Sequence, residues 1–139
     1  MTNFAMSADV QALFDAALAA QAKAHAPYSH FPVGAALRCE NGLIHAGCNI
    51  ENAAYPSGWC AEPTAISHLI VSGSKEVREI MVIGNSDVPC SPCGLCRQRL
   101  NEFVTDPNIM VHMAHPVRGL LKSVTFGELY PHRFGQEHL

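Results

Sequence analysis

Two short segments, Cys60-Ala61-Glu62 and Pro92-Cys93-Gly94-Leu95-Cys96, restrict what this chain can fold into more than any other feature of it. A fold that serves both must carry sulfurs and a carboxylate from distant segments to one point. Thiolates in this pattern can hold a zinc ion on three sides and leave its fourth position open, which marks catalytic rather than structural zinc. A metal bound this way makes a nucleophile of water near neutral pH. A carboxylate two positions after the first cysteine can then move that water's protons.

Each cysteine group falls where a helix is expected to begin, and helix N-termini favour the thiolate form that binds metal. Other readings compete. A lone Cys-x-x-Cys is equally a redox pair or half of a structural zinc site. Cys90, Cys93 and Cys96 have the spacing of an iron–sulfur run but lack its fourth cysteine. Cys60 and Cys90 together could complete a closed four-cysteine zinc site. Cys60 paired with Glu62 favours the catalytic arrangement.

At 139 residues the chain is expected to form a single domain over 1–139, with room for one core. Six cysteines allow three disulfides, but the crowding of three of them into residues 90–96 favours metal over cross-links. Cys39 and Cys48 lie in strand-like apolar stretches and read as small buried hydrophobes. Charged residues make up only 15% of the chain, against roughly 25% in an average soluble protein. So little charge predicts an oligomer with large subunit interfaces. The formal net charge is −3, with no basic run, so a nucleic-acid polymer is not an expected partner. The first basic residue is Lys23, and no apolar run approaches the roughly 20 residues of a membrane span. A cytoplasmic location is expected.

Ser7 predicts the cap of a first helix reaching about Ala26, with Val10, Leu13, Phe14, Ala17 and Leu18 at helical spacing before Pro27. Val33 to Cys39 and Leu43 to Asn49 read as two strands joined by Glu40-Asn41-Gly42, because Asn-Gly between apolar runs signals a hairpin. A second helix is predicted from about Cys60 to Val71, with Ala65, Ile66, Leu69 and Ile70 turned inward. Ile80 to Ile83, Ile109 to Met113 and Leu120 to Val124 read as strands. After the cysteine loop, Cys96, Leu100 and Phe103 fall at the spacing of an inward helix face, and a short helix is predicted around Phe126 to Tyr130. Alternating strands and helices argue for a layered α/β domain. The eight histidines show no metal-like pairing, and most are expected at the surface.

The segments 28–37 (YSHFPVGAAL), 47–56 (GCNIENAAYP), Cys60-Ala61-Glu62, 91–98 (SPCGLCRQ) and the ending 134–139 (FGQEHL) closely resemble, in order and spacing, the homotetrameric zinc-dependent cytidine deaminases. The resemblance implies a three-layer α-β-α sandwich with a mixed five-stranded sheet, a homotetramer, and hydrolysis of cytidine or deoxycytidine to the uracil nucleoside and ammonia. It implies one Zn²⁺ per subunit on Cys60, Cys93 and Cys96, with Glu62 as the proton carrier. Phe31, Asn49, Glu51 and Ala61 are implied as nucleoside contacts. Tyr55 and Phe134 are implied at the same or a neighbouring subunit's site, and Arg97 and Gln98 as loop support. Without the resemblance, Asn49 and Glu51 read more simply as residues that order a polar loop.

One position departs from the family pattern. Its usual arginine directly after the glutamate is Pro63 here, which suits a helix's first turn but donates nothing. The alternative substrates are therefore an N4-substituted cytosine nucleoside or a nucleoside antibiotic. A non-catalytic zinc protein is the rival from outside enzymology. Trp59, the single tryptophan, either lines the same space or packs at a subunit contact.

Overall fold

The computed structural model describes residues 5–139. Five strands form one mixed sheet: β1 (Val33–Cys39), β2 (Ile44–Cys48), β3 (Val77–Gly84), β4 (Met110–His115) and β5 (Gly119–Thr125). Their order is β2-β1-β3-β4-β5, and the β3–β4 pair alone is parallel. The hairpin between β1 and β2 closes through Gly42 at φ 84°, a left-handed conformation that glycine adopts without steric cost. A parallel neighbour requires a crossover connection rather than a tight turn. The chain between β3 and β4 supplies it, and that crossover carries Cys93 and Cys96.

Helix α1 (Ala8–Gln21) covers one face of the sheet, burying Leu13, Phe14 and Ala17 against Ala36, Met81, Ile83 and Ala114. On the other face, α2 (Ala61–Val71) and α3 (Gly94–Asn101) close over Leu37, Ile80, Val82 and Val111. Buried on both faces, β3 and β4 are nearly continuous apolar runs. The short α4 (Phe126–Leu129) carries a capping box between Thr125 and Glu128 and buries Phe126 in the second core. The result is the expected three-layer α/β sandwich.

Several boundaries differ from the expectation. Helix α1 is capped by Ser7 as predicted but ends at Gln21, not near Ala26. His25 instead bonds the loop after β2, donating to the Asn49 carbonyl at 3.0 Å and accepting from Glu51 N–H at 2.8 Å. Ile70 is 40% exposed where an inward position was expected, because the buried stripe of α2 runs through Ala61, Ala65 and Leu69 and leaves Ile70 on its flank. Phe103 lies beyond the end of α3, although it still packs against the core. Strand β3 extends past both ends of the predicted segment. Its polar Glu79 is accommodated by His112, itself only 5% exposed, whose ring nitrogens bridge Ser123 and Glu79 at 2.7 Å each.

Gly47 marks the closest approach of the sheet to α2. A Cβ there would lie 2.4 Å from the Ala65 nitrogen and 2.8 Å from the Ala61 carbonyl oxygen, both backbone atoms that cannot swing aside. Gly47→Ala should therefore push the first turns of α2 outward and cost about 1–3 kcal/mol or more. Thermal unfolding checks this directly. An unchanged midpoint would mean that the helix has room to move.

Candidate active site

Cys60 is the N-cap of α2 and Cys93 the N-cap of α3, both with extended backbone (ψ 165° and 170°). Neither sulfur is spent on capping its helix, so both are available at the positive ends of two helices. Cys96, in the first turn of α3, is fully buried beside them. The Sγ atoms of Cys60, Cys93 and Cys96 lie within 4.8 Å of one another, the grouping a single ion needs. Cys90 stands outside it, and all six cysteines are free thiols, so the four-cysteine, iron–sulfur and disulfide alternatives find no support in the geometry.

In the metal-free chain the sulfurs share protons. The Cys96 thiol donates to the Cys60 sulfur and draws its pKa down to about 6, while Cys96 itself is pushed upward by the same contact and by burial. Of the two, Cys60 is the sulfur that more readily gives up its proton to a metal. Burial pushes the Cys90 thiol up to about 11, which keeps it protonated at neutral pH. Glu62, at the second position of α2, is 4% exposed, and its carboxyl is held above the ordinary carboxylate range by desolvation, partly countered by hydrogen bonds from the backbone and from Cys96. A buried carboxyl in contact with a sulfur donor set is suited to carrying protons beside a metal.

The neighbouring loop is tied to these residues by backbone. Ile50 and Trp59 exchange two hydrogen bonds (2.8 and 2.9 Å), which couples the segment holding Asn49 and Glu51 to the residue preceding Cys60. The Asn49 amide accepts from Val33 N–H at 2.8 Å and donates to the Phe31 carbonyl at 2.9 Å, so it fixes the backbone of Phe31. The Phe31 ring packs over Gly84 next to Cys90. Glu51 Oε1 accepts from the N–H groups of Tyr28 and Ser29 (2.9 and 3.1 Å), and bonds from Ser29 and Tyr28 hold its carboxyl below the ordinary range. A recess of about 360 Å³ opens here between Tyr28, Ser29, Glu51, Asn52, Tyr55 and Gly58. None of the three clustered cysteines lines it.

Two expected site residues are largely exposed. Tyr55 is 76% exposed, with its ring 5.9 Å from that of Tyr28, and Phe134 is 55% exposed and stacked on His138. The Phe134 carbonyl is nonetheless fastened to α3 by Gln98 and Asn101 at 3.0 and 2.9 Å. Arg97 clamps the cysteine loop through the carbonyls of Pro92 and Leu129 and the Ser91 hydroxyl. The sequence reading missed Arg99, whose guanidinium lies 4.5 Å from the Trp59 ring centroid. Its spacing of three from Cys96, on one helix face, was the available signal.

A sequence model of the cytidine and deoxycytidylate deaminase zinc-binding region matches residues 7–113. The chain belongs to the cytidine deaminase family. It is 39% identical to the cytidine deaminase of Sporosarcina psychrophila over 94% of this chain and 95% of that one. The Halalkalibacterium halodurans cytidine deaminase is 37% identical over 94% and 98%. The crystal structure of cytidine deaminase from Burkholderia pseudomallei superposes with a TM-score of 0.82 at 38% identity, covering 93% of this chain and all of that one. The family's zinc-binding character and the donor set agree: three sulfurs with the buried Glu62 carboxyl beside them fit a single Zn²⁺ per subunit.

Proposed function

We propose that the chain catalyses cytidine + H₂O → uridine + NH₃, acting likewise on deoxycytidine. The observation that carries this reading is the convergence of three sulfurs and the buried Glu62 carboxyl at two helix N-termini. Cys60, Cys93 and Cys96 hold the zinc, which when bound supplies the Lewis acidity that lets water attack near neutral pH. Glu62 takes a proton from the attacking water onto its carboxylate. It passes this to the ring nitrogen beside the amine-bearing carbon and then serves the departing amine. The desolvated surroundings of Glu62 raise its affinity for that proton, so it can hold one between the two steps.

Phe31 packs on the pyrimidine, and Ala61, at the start of α2, borders the same space. Asn49 and Glu51 take the ribose hydroxyls. Glu51 is an obligate acceptor, held at the recess by the N–H groups of Tyr28 and Ser29. Glu51→Gln is expected to raise KM for cytidine about tenfold, the loss of one hydrogen bond to a charged group. It should leave kcat/KM for the 2′,3′-dideoxy nucleoside nearly unchanged. Equal losses on both substrates would reduce Glu51 to a brace for Tyr28 and Ser29.

The single-domain subunit acts as a cytoplasmic homotetramer in this reading. Exposed Tyr55, Trp59, Ile70, Val71 and Leu95 supply apolar surface for subunit contacts, and Tyr55 and Phe134 reach a neighbour's site. Ammonia release from cytidine by the zinc-loaded protein is the direct test. Rapid release supports the reading, and none from a protein verified to hold zinc sinks it.

A further inference from the structure

We propose that Arg99, held in place by the Trp59 ring, is the positive group that balances the sulfurs and Glu62 around the zinc. Three thiolates leave a Zn²⁺ site with one excess negative charge, and Glu62 adds a second when ionised. Charge of that sign in a partly buried place calls for a counter-charge. The first turn of α2 offers none, since Pro63 follows Glu62. Arg97 is committed to the loop carbonyls and Ser91.

Arg99 remains. It lies one helical turn beyond Cys96 on the same side of α3, and its guanidinium carbon sits 4.5 Å from the Trp59 ring centroid. Trp59 directly precedes Cys60 and is itself pinned by its paired backbone bonds to Ile50. The cation is thus fixed between the segments that carry Cys60 and Cys96 by an aromatic face that attracts it. A guanidinium there draws electron density onto the sulfurs and away from the metal, which keeps the metal electrophilic. Arg99 is a positioning residue in this sense: it acts through the ligands rather than on substrate. The inference rests on the zinc site described above and not on the identity of the substrate.

The test uses the cobalt-substituted full-length protein, whose sulfur-to-cobalt charge-transfer band reports the energy of the sulfur lone pairs whether or not cytidine is turned over. A nearby cation stabilises those lone pairs. Arg99→Gln should therefore move the band to longer wavelength and lower kcat/KM of the zinc enzyme about tenfold, the lower end for lost outer-shell partners. Arg99→Lys keeps the charge and should return most of both. Trp59→Leu loosens the cation and should shift the band in the same direction by less. A band in Arg99→Gln identical to wild type would overturn the proposal, and so would an Arg99→Lys band displaced as far as that of Arg99→Gln. If the protein fails to deaminate cytidine while the band shifts as described, the functional reading fails and the role of Arg99 stands.

Discussion

Glu62→Gln should reduce ammonia release from cytidine by about 10²–10⁴-fold, the contribution of a positioned proton carrier, while one zinc per chain is retained. The amide keeps the size and hydrogen-bonding capacity of the carboxyl but cannot accept and return a proton. The three sulfurs do not include residue 62, so metal content should be unaffected. A second consequence follows from burial. In the metal-free chain Glu62 binds its proton more tightly when folded than when unfolded. Its stabilising contribution is then fully present below the unfolded carboxylate value and is lost as pH rises through the higher folded one. Glu62→Gln removes that dependence, so metal-free variant and wild type should differ most in the direction of greater variant stability at neutral pH. Thermal unfolding at several pH values, beside metal analysis and the ammonia assay, checks all three. A fully active Glu62→Gln protein would refute the assignment of the proton carrier.

Cys96→Ser should lose zinc and with it all measurable deamination, whereas Cys90→Ala should keep both. The contrast separates a three-sulfur site with an open position from a closed four-sulfur one. Cys96 lies fully buried in the first turn of α3 with its sulfur in the cluster. Hydroxyl oxygen does not replace a thiolate for a metal whose ligands here are cysteine sulfur. Cys90 is close enough to feel the charges of Cys60 and Glu62 but is outside the cluster, and burial keeps it a thiol. Metal content per chain and ammonia release give the answer together. Zinc loss in Cys90→Ala would restore the closed site and remove the open position on which the proposed chemistry depends.

Local pattern already contained most of the framework. Ser7 as a cap, the Asn41-Gly42 turn and the apolar runs of β3 and β4 were legible because caps, hairpin turns and periodicity are properties of neighbouring residues. The two cysteine segments named the metal donors for the same reason: ligand spacing is written along the chain. Boundaries failed where a distant segment intervened. Residues 22–26 continue an apolar helical pattern, yet His25 leaves it because the loop at Asn49 and Glu51 needs a backbone partner.

By itself, then, the sequence determined the layered α/β class, the donor set and the family, since each is carried by residue type and short-range spacing. Only the tertiary structure decided how the strands are ordered and that two helix N-termini meet at one point. It also decided that Gly47 must be bare to admit α2 and that Arg99 rests on Trp59. Those are distances between segments far apart in the chain, and they exist only once the sheet has brought the segments together.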